Sequence, residues 1–256
     1  MTWSAKQYLA FEDERTRPVR DLLNALPDRT IRRAIDIGCG PGNSTEVLAA
    51  RFPAARVEGL DSSPEMLDAA RKRLPQIDFK LAAIETWREP STYDLIFANA
   101  VLQWVPDHAT LLPRLLQSLA PQGVLAMQIP DNLDEPAHQL MRDIAAEPPF
   151  ADKLAAASQS RVKRESAEFY YSLLRPHCAA LDLWRTTYYH QLSGGTDAVI
   201  EWFKGTGLRP FLTPLSDSEQ KIYLDRYRAA LARAYPPRED GSVLLPFPRL
   251  FIIATR

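Results

Sequence analysis

Apolar positions in the first half of the chain switch between two periods, and the switches mark the elements. Ala34-Ile35-Asp36-Ile37 is a short apolar run with β-branched residues, the pattern of a strand. Arg56 to Asp61 reads as a second strand and Ile77 to Leu81 alternates as a third. Tyr93 to Asn99 is a continuous apolar run of the kind buried on both faces, and Val124 to Ile129 supplies a fifth strand. Between them helical spacing takes over. Met66, Leu67, Ala70 and Leu74 form one stripe up to Pro75, and Leu111, Leu112, Leu115, Leu116 and Leu119 form another that ends near Pro121 and Gly123. Strands alternating with helices predict right-handed crossovers. The expected fold is therefore α/β, a doubly wound, mostly parallel sheet whose ligand lies beyond the carboxyl ends of its strands.

After Pro130 the pattern loosens into charged, helical stretches, until Leu183 to His190 and Leu250 to Ala254 read as two late strands that bring the sheet to seven. Gly194 to Pro246 is too long for a turn and contains a helical segment from Lys221 to Tyr235, so it is expected to form a cap. These patterns predict one domain over 1–256. Its core covers about 30–130 with late strands at about 182–190 and 248–255, and a helical cap covers about 132–180 and 194–245. A chain of 256 residues can bury such a core without metal or disulfide staples.

Where the first strand breaks, Gly38-Cys39-Gly40-Pro41-Gly42 removes side chains, and a helix-like pattern follows from Asn43. Ser44 or Thr45 is expected to cap that helix, whose free amides favour an anion. The second strand ends in Asp61, about 20 residues past the loop, where nucleotide-binding βαβ units hold ribose hydroxyls. Ser62-Ser63-Pro64-Glu65 then reads as a Ser-x-x-Glu capping box with a first-turn proline, which puts Asp61 at the carboxyl end of its strand. Taken singly, the glycines serve a tight turn and Asp61 a helix start. Strand, loop, helix and acid at this spacing point jointly to ligand binding.

Charge and cysteines narrow the partners. With 31 basic and 32 acidic residues the net charge is -1, which gives no electrostatic reason to expect nucleic acid or an anionic membrane, and a small molecule becomes the default partner. Cys39 and Cys178 lack metal-ligand spacing, and Cys39 sits inside the glycine loop, so a reducing compartment, the cytoplasm, is expected. No apolar run approaches membrane-spanning length. His108, His138, His177 and His190 are scattered and read as surface or hydrogen-bonded structural residues, and no metal is expected.

Asp36-Ile37-Gly38-Cys39-Gly40-Pro41-Gly42 resembles the first motif of the class I methyltransferases that use S-adenosylmethionine, and Asp61 resembles their ribose acid. The resemblance covers roughly residues 30 to 130. It implies a Rossmann-like fold in which Asp36, Gly38, Cys39, Gly40, Gly42, Asn43, Asp61, Ser62, Asn99 and Ala100 bind the cofactor. Adenine would sit beside Ala82-Ala83-Ile84-Glu85-Thr86-Trp87. Many family members carry an acid at the position of Ala83, and the departure leaves the Ile84 amide to meet a ring nitrogen and Glu85 to compensate. Asn99 to His108, Trp3 to Pro18, and Glu201-Trp202-Phe203-Lys204-Gly205-Thr206-Gly207-Leu208-Arg209-Pro210 are similar to segments of the trans-aconitate methyltransferases, and this likeness spans nearly the whole chain. It implies conversion of one carboxylate of a small polycarboxylate to its methyl ester, with release of S-adenosylhomocysteine.

Such chemistry needs no general base, because a carboxylate is already ionised at pH 7 and a sulfonium methyl is already activated. Positioning and exclusion of water remain as the enzyme's task. The acid needs cations and donors. Arg209 is the first candidate, beside a glycine-rich loop and near Lys204, while Arg161, Arg164 and Arg175 carry no assignment. Gln103 and Trp104 follow the fourth strand, where donor and acceptor should meet, and Tyr8 with Trp3 either closes over the site or docks a terminal helix. Rival readings are a methyltransferase for another small acid, amine or hydroxyl, a nicotinamide-dependent dehydrogenase, and a binding protein without catalysis. The dehydrogenase fingerprint spaces its last glycine three residues on, whereas Gly38, Gly40 and Gly42 are evenly spaced.

Overall fold

The computed structural model describes residues 12–88, 92–159 and 165–256. Helix α1 (Glu12–Asn24) leads into β1 (Arg33–Ile37), α2 (Asn43–Arg51), β2 (Arg56–Asp61), α3 (Pro64–Arg73), β3 (Asp78–Leu81), β4 (Tyr93–Asn99), α4 (His108–Gln117) and β5 (Leu119–Pro130). Then follow α5 (Pro136–Ala145), α6 (Ala151–Gln159), α7 (Ala167–Leu174), β6 (Ala180–Leu192), α8 (Gly195–Lys204), α9 (Arg209–Leu212), α10 (Asp217–Ala234) and β7 (Val243–Thr255). The sheet has seven strands in the order β3-β2-β1-β4-β5-β7-β6. β1 pairs in parallel with both β2 and β4, so the strand order reverses between β1 and β4, and the switch point of the sheet lies there.

Two compact units divide the described residues: 12–130, 165–186 and 250–256 form the first, and 131–159 with 187–249 the second. The core of the first is built from Ile35 and Ile37 of β1, Ile96 and Ala98 of β4, Leu125 and Met127 of β5, the leucines of α4, and Tyr170 and Leu174 of α7. Residues 165–180, expected in the cap, thus belong to the first unit, because α7 buries Tyr170 and Leu174 in that core. In the second unit, α10 is tied to α5 by buried tyrosines. The Tyr223 hydroxyl donates to the Met141 carbonyl at 2.8 Å, Tyr227 donates to Ala137 O at 2.9 Å, and Tyr235 accepts from Ala137 N at 3.1 Å. α10 opens with a capping box of Ser216 and Glu219.

Two element boundaries differ from the expected ones. The fifth strand starts at Leu119, not Val124. Tyr93 pairs with Leu119 but Leu95 with Val124, so Pro121, Gln122 and Gly123 form a bulge with Gln122 at φ 63°, and the turn residues sit inside a continuing strand. The late strands extend to 13 residues each. Among the described residues no helix is long and apolar enough to cross a membrane.

Candidate active site

The loop after β1 turns because its backbone is captured by β2. Gly38 and Cys39 both donate to the Leu60 carbonyl, at 2.6 and 2.9 Å. Gly38 adopts φ +72°, and a Cβ there would lie 2.1 Å from Val101 Cγ2, so the loop packs directly on the turn that follows β4. Gly40, at φ +55°, has nothing among the described residues within 4 Å of where a Cβ would stand. Among the described residues, the bare backbone of the loop is therefore uncovered at the switch point. Gly42 is the N-cap residue of α2, and Asn43 its first residue.

Ser44 and Thr45 do not cap α2. Both hydroxyls donate to Asp36 Oδ2 at 2.7 Å, because that carboxyl is fully buried in β1 and needs donors. Burial raises the Asp36 pKa from 3.8 to about 7, opposed by the two hydroxyls and assisted by the charge of Asp61. Asp36 thus supports the loop from beneath, and its Oδ1 has no hydrogen-bond partner among the described residues. Between pH 4 and 7 an unfolded chain ionises this group while the folded one keeps its proton. Stability is therefore lost as pH rises through that window, by up to about 1.4 kcal/mol per pH unit, and levels off above it. Asp36→Asn keeps an acceptor for both hydroxyls and removes the titration. The wild type's urea midpoint, measured relative to this variant, is expected to fall between pH 4 and 7 and then stay flat. A difference independent of pH would remove the buried-proton assignment.

Asp61 Oδ2 accepts from Gly40 N at 2.9 Å and its Oδ1 from Ser63 N at 2.8 Å, so one carboxylate joins the β1 loop to the start of α3. The cap of α3 is Ser63, accepting from Met66 N, and not a box of Ser62 and Glu65, because the Asp61 carboxylate turns the chain one residue later. Ser62 is exposed. Cys39 is buried and free, and its thiol pKa is raised by burial, which makes it an inert packing residue.

The turn after β3 is clamped from α4. The Arg114 guanidinium donates to Ile84 O at 3.0 Å, to Glu85 O at 3.2 Å and to Trp87 O. Ile84 is buried, whereas Glu85 is exposed and half-buried Ala83 accepts from Thr86 N and Trp87 N. At the end of β4, Gln128 Nε2 donates to Asn99 Oδ1 at 2.5 Å, and Ala100 follows at φ 52°. Gln103 Nε2 donates to Ala100 O at 2.6 Å, and Trp104 beside it is 43 % exposed.

Lys204 is paired with Glu201, and Arg209 opens α9 half-buried; both lie in the second unit. Tyr8, Trp3, Arg161 and Arg164 lie outside the described residues. Arg175 donates to Cys178 O and is structural. Of the histidines, His108 is held between Tyr170 Oη (2.8 Å) and Leu102 O (2.9 Å), while His138 and His190 are buried among aromatic rings. Arg114 and Gln128 are the two residues that sequence reasoning missed. A glutamine inside the apolar run of β5 was the available signal for the second. Nothing distinguished Arg114 from a solvated arginine on a leucine-striped helix.

A sheet whose strand order reverses between β1 and β4, a glycine loop at that switch point and an acid linking the loop to the next helix make up the frame of a class I methyltransferase. A family model described as "Methyltransferase domain" matches residues 34–123. The chain is 56 % identical over 254 residues to a trans-aconitate 2-methyltransferase from Methylobacterium nodulans, covering 99 % of this chain and 98 % of that one. It is 54 % identical to the protein of that name from Afipia carboxidovorans (99 % of each chain) and 52 % identical to that from Azoarcus sp. (100 % and 99 %). It belongs to the methyltransferase family that these trans-aconitate 2-methyltransferases make up. Solved structures share its fold: the YcgJ protein from Bacillus subtilis (TM-score 0.61, 13 % identity, 94 % and 98 % covered) and Haemonchus contortus phosphoethanolamine N-methyltransferase 2 in complex with S-adenosyl-L-methionine (TM-score 0.55, 18 %, 93 % and 52 %).

Proposed function

We propose that the protein methylates a carboxylate of trans-aconitate with S-adenosylmethionine, giving the monomethyl ester and S-adenosylhomocysteine. The observation that carries the reading is the Asp61 carboxylate, fixed by N–H groups of Gly40 and Ser63 while each oxygen keeps acceptor capacity for a ribose hydroxyl. The residues present fit the cofactor: among the described residues nothing covers the space in front of Gly40, and the buried Asp36 Oδ1 has no partner. When bound, S-adenosylmethionine supplies a methyl group on a positively charged sulfur, which a carboxylate oxygen takes as the carbon–sulfur bond breaks, with no proton moved. The chain's own residues then have three tasks. Asp61 holds the ribose, Arg114 holds the turn that receives adenine, and Trp104 with Gln103 borders the place where the acid is presented. No residue is assigned as a base. The two free, buried cysteines support a reducing compartment, the cytoplasm.

Arg209 is assigned to a carboxylate of the acid, since its planar fork matches two oxygens. Arg209→Ala is expected to raise KM for trans-aconitate about ten- to a hundredfold, the loss of one charged hydrogen-bonding pair, while leaving affinity for S-adenosylhomocysteine within about twofold. Unchanged acid kinetics would remove Arg209 from the site. The test of the function itself is transfer of labelled methyl to trans-aconitate, cis-aconitate, citrate and isocitrate, read by product mass. Preferential monomethylation of trans-aconitate supports the reading. Cofactor binding without transfer to any of the four overturns the substrate.

A further inference from the structure

The side chain that ends β4 has its orientation set from the neighbouring strand. Asn99 lies opposite Gln128 in the parallel register of β4 and β5, and Gln128 is fully buried. Gln128 Nε2 donates to Asn99 Oδ1 at 2.5 Å, and the next residue is held too, Ala100 N donating to Gln128 O at 2.9 Å. The acceptor end of the Asn99 amide is thereby engaged toward β5. Its Nδ2 carries two N–H groups that have no partner among the described residues, on a side chain only half-buried. Two residues further on, Val101 fills the space a Cβ on Gly38 would need, so this donor stands beside the glycine loop at the switch point.

We infer that the side chain of Asn99, a residue that the family resemblance places with the cofactor, serves the acid instead: in the methyl transfer proposed above, on which this inference rests, it is a specificity-determining residue that donates from Nδ2 to the carboxylate that is methylated. An amine or hydroxyl acceptor carries a proton that must leave, and calls for an acceptor or base at this place. A carboxylate carries none and calls for a donor. Donation to the oxygen that does not attack orients the carboxylate and leaves a lone pair of the other oxygen for the methyl carbon. A neutral amide does this without setting a second positive charge beside the sulfonium, which an arginine there would do. The Gln128 bond keeps Nδ2 outward, so the donor is in place before the acid arrives.

Asn99→Asp tests this at constant shape, because an aspartate still accepts from Gln128 and only the outward donor becomes an acceptor. The expected result is a rise in KM for trans-aconitate of about a hundredfold, with calorimetric affinity for S-adenosylhomocysteine and the melting temperature close to wild type. The defect should shrink as pH is lowered from 8 to 5, as the new carboxyl regains a proton to donate. Asn99→Ala should give a smaller, pH-independent rise. Unchanged acid kinetics in Asn99→Asp, or a loss of S-adenosylhomocysteine affinity as large as the rise in KM, would overturn the inference and turn the Asn99 amide toward the cofactor. If the wild type binds S-adenosylhomocysteine but transfers nothing to trans-aconitate, the substrate reading fails instead, and the two failures are told apart by the wild-type assay alone.

Discussion

Asp61→Ala is expected to weaken binding of S-adenosylhomocysteine by about a hundredfold or more, measured by calorimetry. The proposed ribose contact gives two hydrogen bonds to a charged carboxylate that this variant would lose, each worth about 1.5–3 kcal/mol, and 1.4 kcal/mol is a factor of ten. A second effect adds to the first. The Gly40 and Ser63 amides lose their shared acceptor, so the glycine loop is no longer tied to the start of α3. Asp61→Asn separates the two. Its single oxygen satisfies one of those amides and its NH2 group repels the other, so a loss close to that of alanine is expected if tethering dominates, and an intermediate loss if the ribose contact dominates. At saturating cofactor the KM for the acid should be unchanged in both. An affinity within threefold of wild type in Asp61→Ala would remove the ribose assignment.

The parts of the site that were legible in the sequence are those whose cause is local. Glycines at 38 and 40, Asp61 ending a strand and the apolar run of β4 each announce their conformation through neighbouring residues. Contacts between distant segments were not legible, for a physical reason. Ser44 and Thr45 are good capping residues by type, and only the burial of Asp36, eight and nine residues away in sequence, draws their hydroxyls elsewhere. Pro121 and Gly123 are turn residues by type, yet parallel pairing with β4 carries the strand past them as a bulge. Arg114 reaches three carbonyls some 30 residues back in the chain, and no pattern in a leucine-striped helix marks one polar-face arginine for that task. The charge relation was likewise hidden at Glu58. Fully buried on β2, it is pushed up by burial, but the Tyr93 hydroxyl at 2.8 Å, the Arg33 guanidinium at 3.0 Å and the charge of Lys80 outweigh this and hold its pKa below the usual value.

Gly38→Ala is the substitution expected to damage both the fold and the site. An alanine at φ +72° costs about 1–2 kcal/mol in backbone strain, and its methyl would stand 2.1 to 2.9 Å from three atoms of Val101, an overlap of the kind that costs about 1–3 kcal/mol. Relief by sliding the loop is opposed on its other side, where Gly38 and Cys39 both bond to Leu60 O. A melting temperature lower by about 5–15 °C follows, since 1 kcal/mol moves a domain of this size by about 2–4 °C, together with at least a tenfold loss of S-adenosylhomocysteine affinity as the loop shifts. The steric part can be separated from the strain. Val101→Ala removes the two methyl carbons nearest the new Cβ but leaves the Val101 Cβ position 2.5 Å away, so in the double variant stability should recover partly, and less is lost than the two single changes sum to. Additive losses in the double variant would mean that the β1 loop and the turn after β4 are not in contact. Strain at Gly38 alone would then have to account for the whole effect.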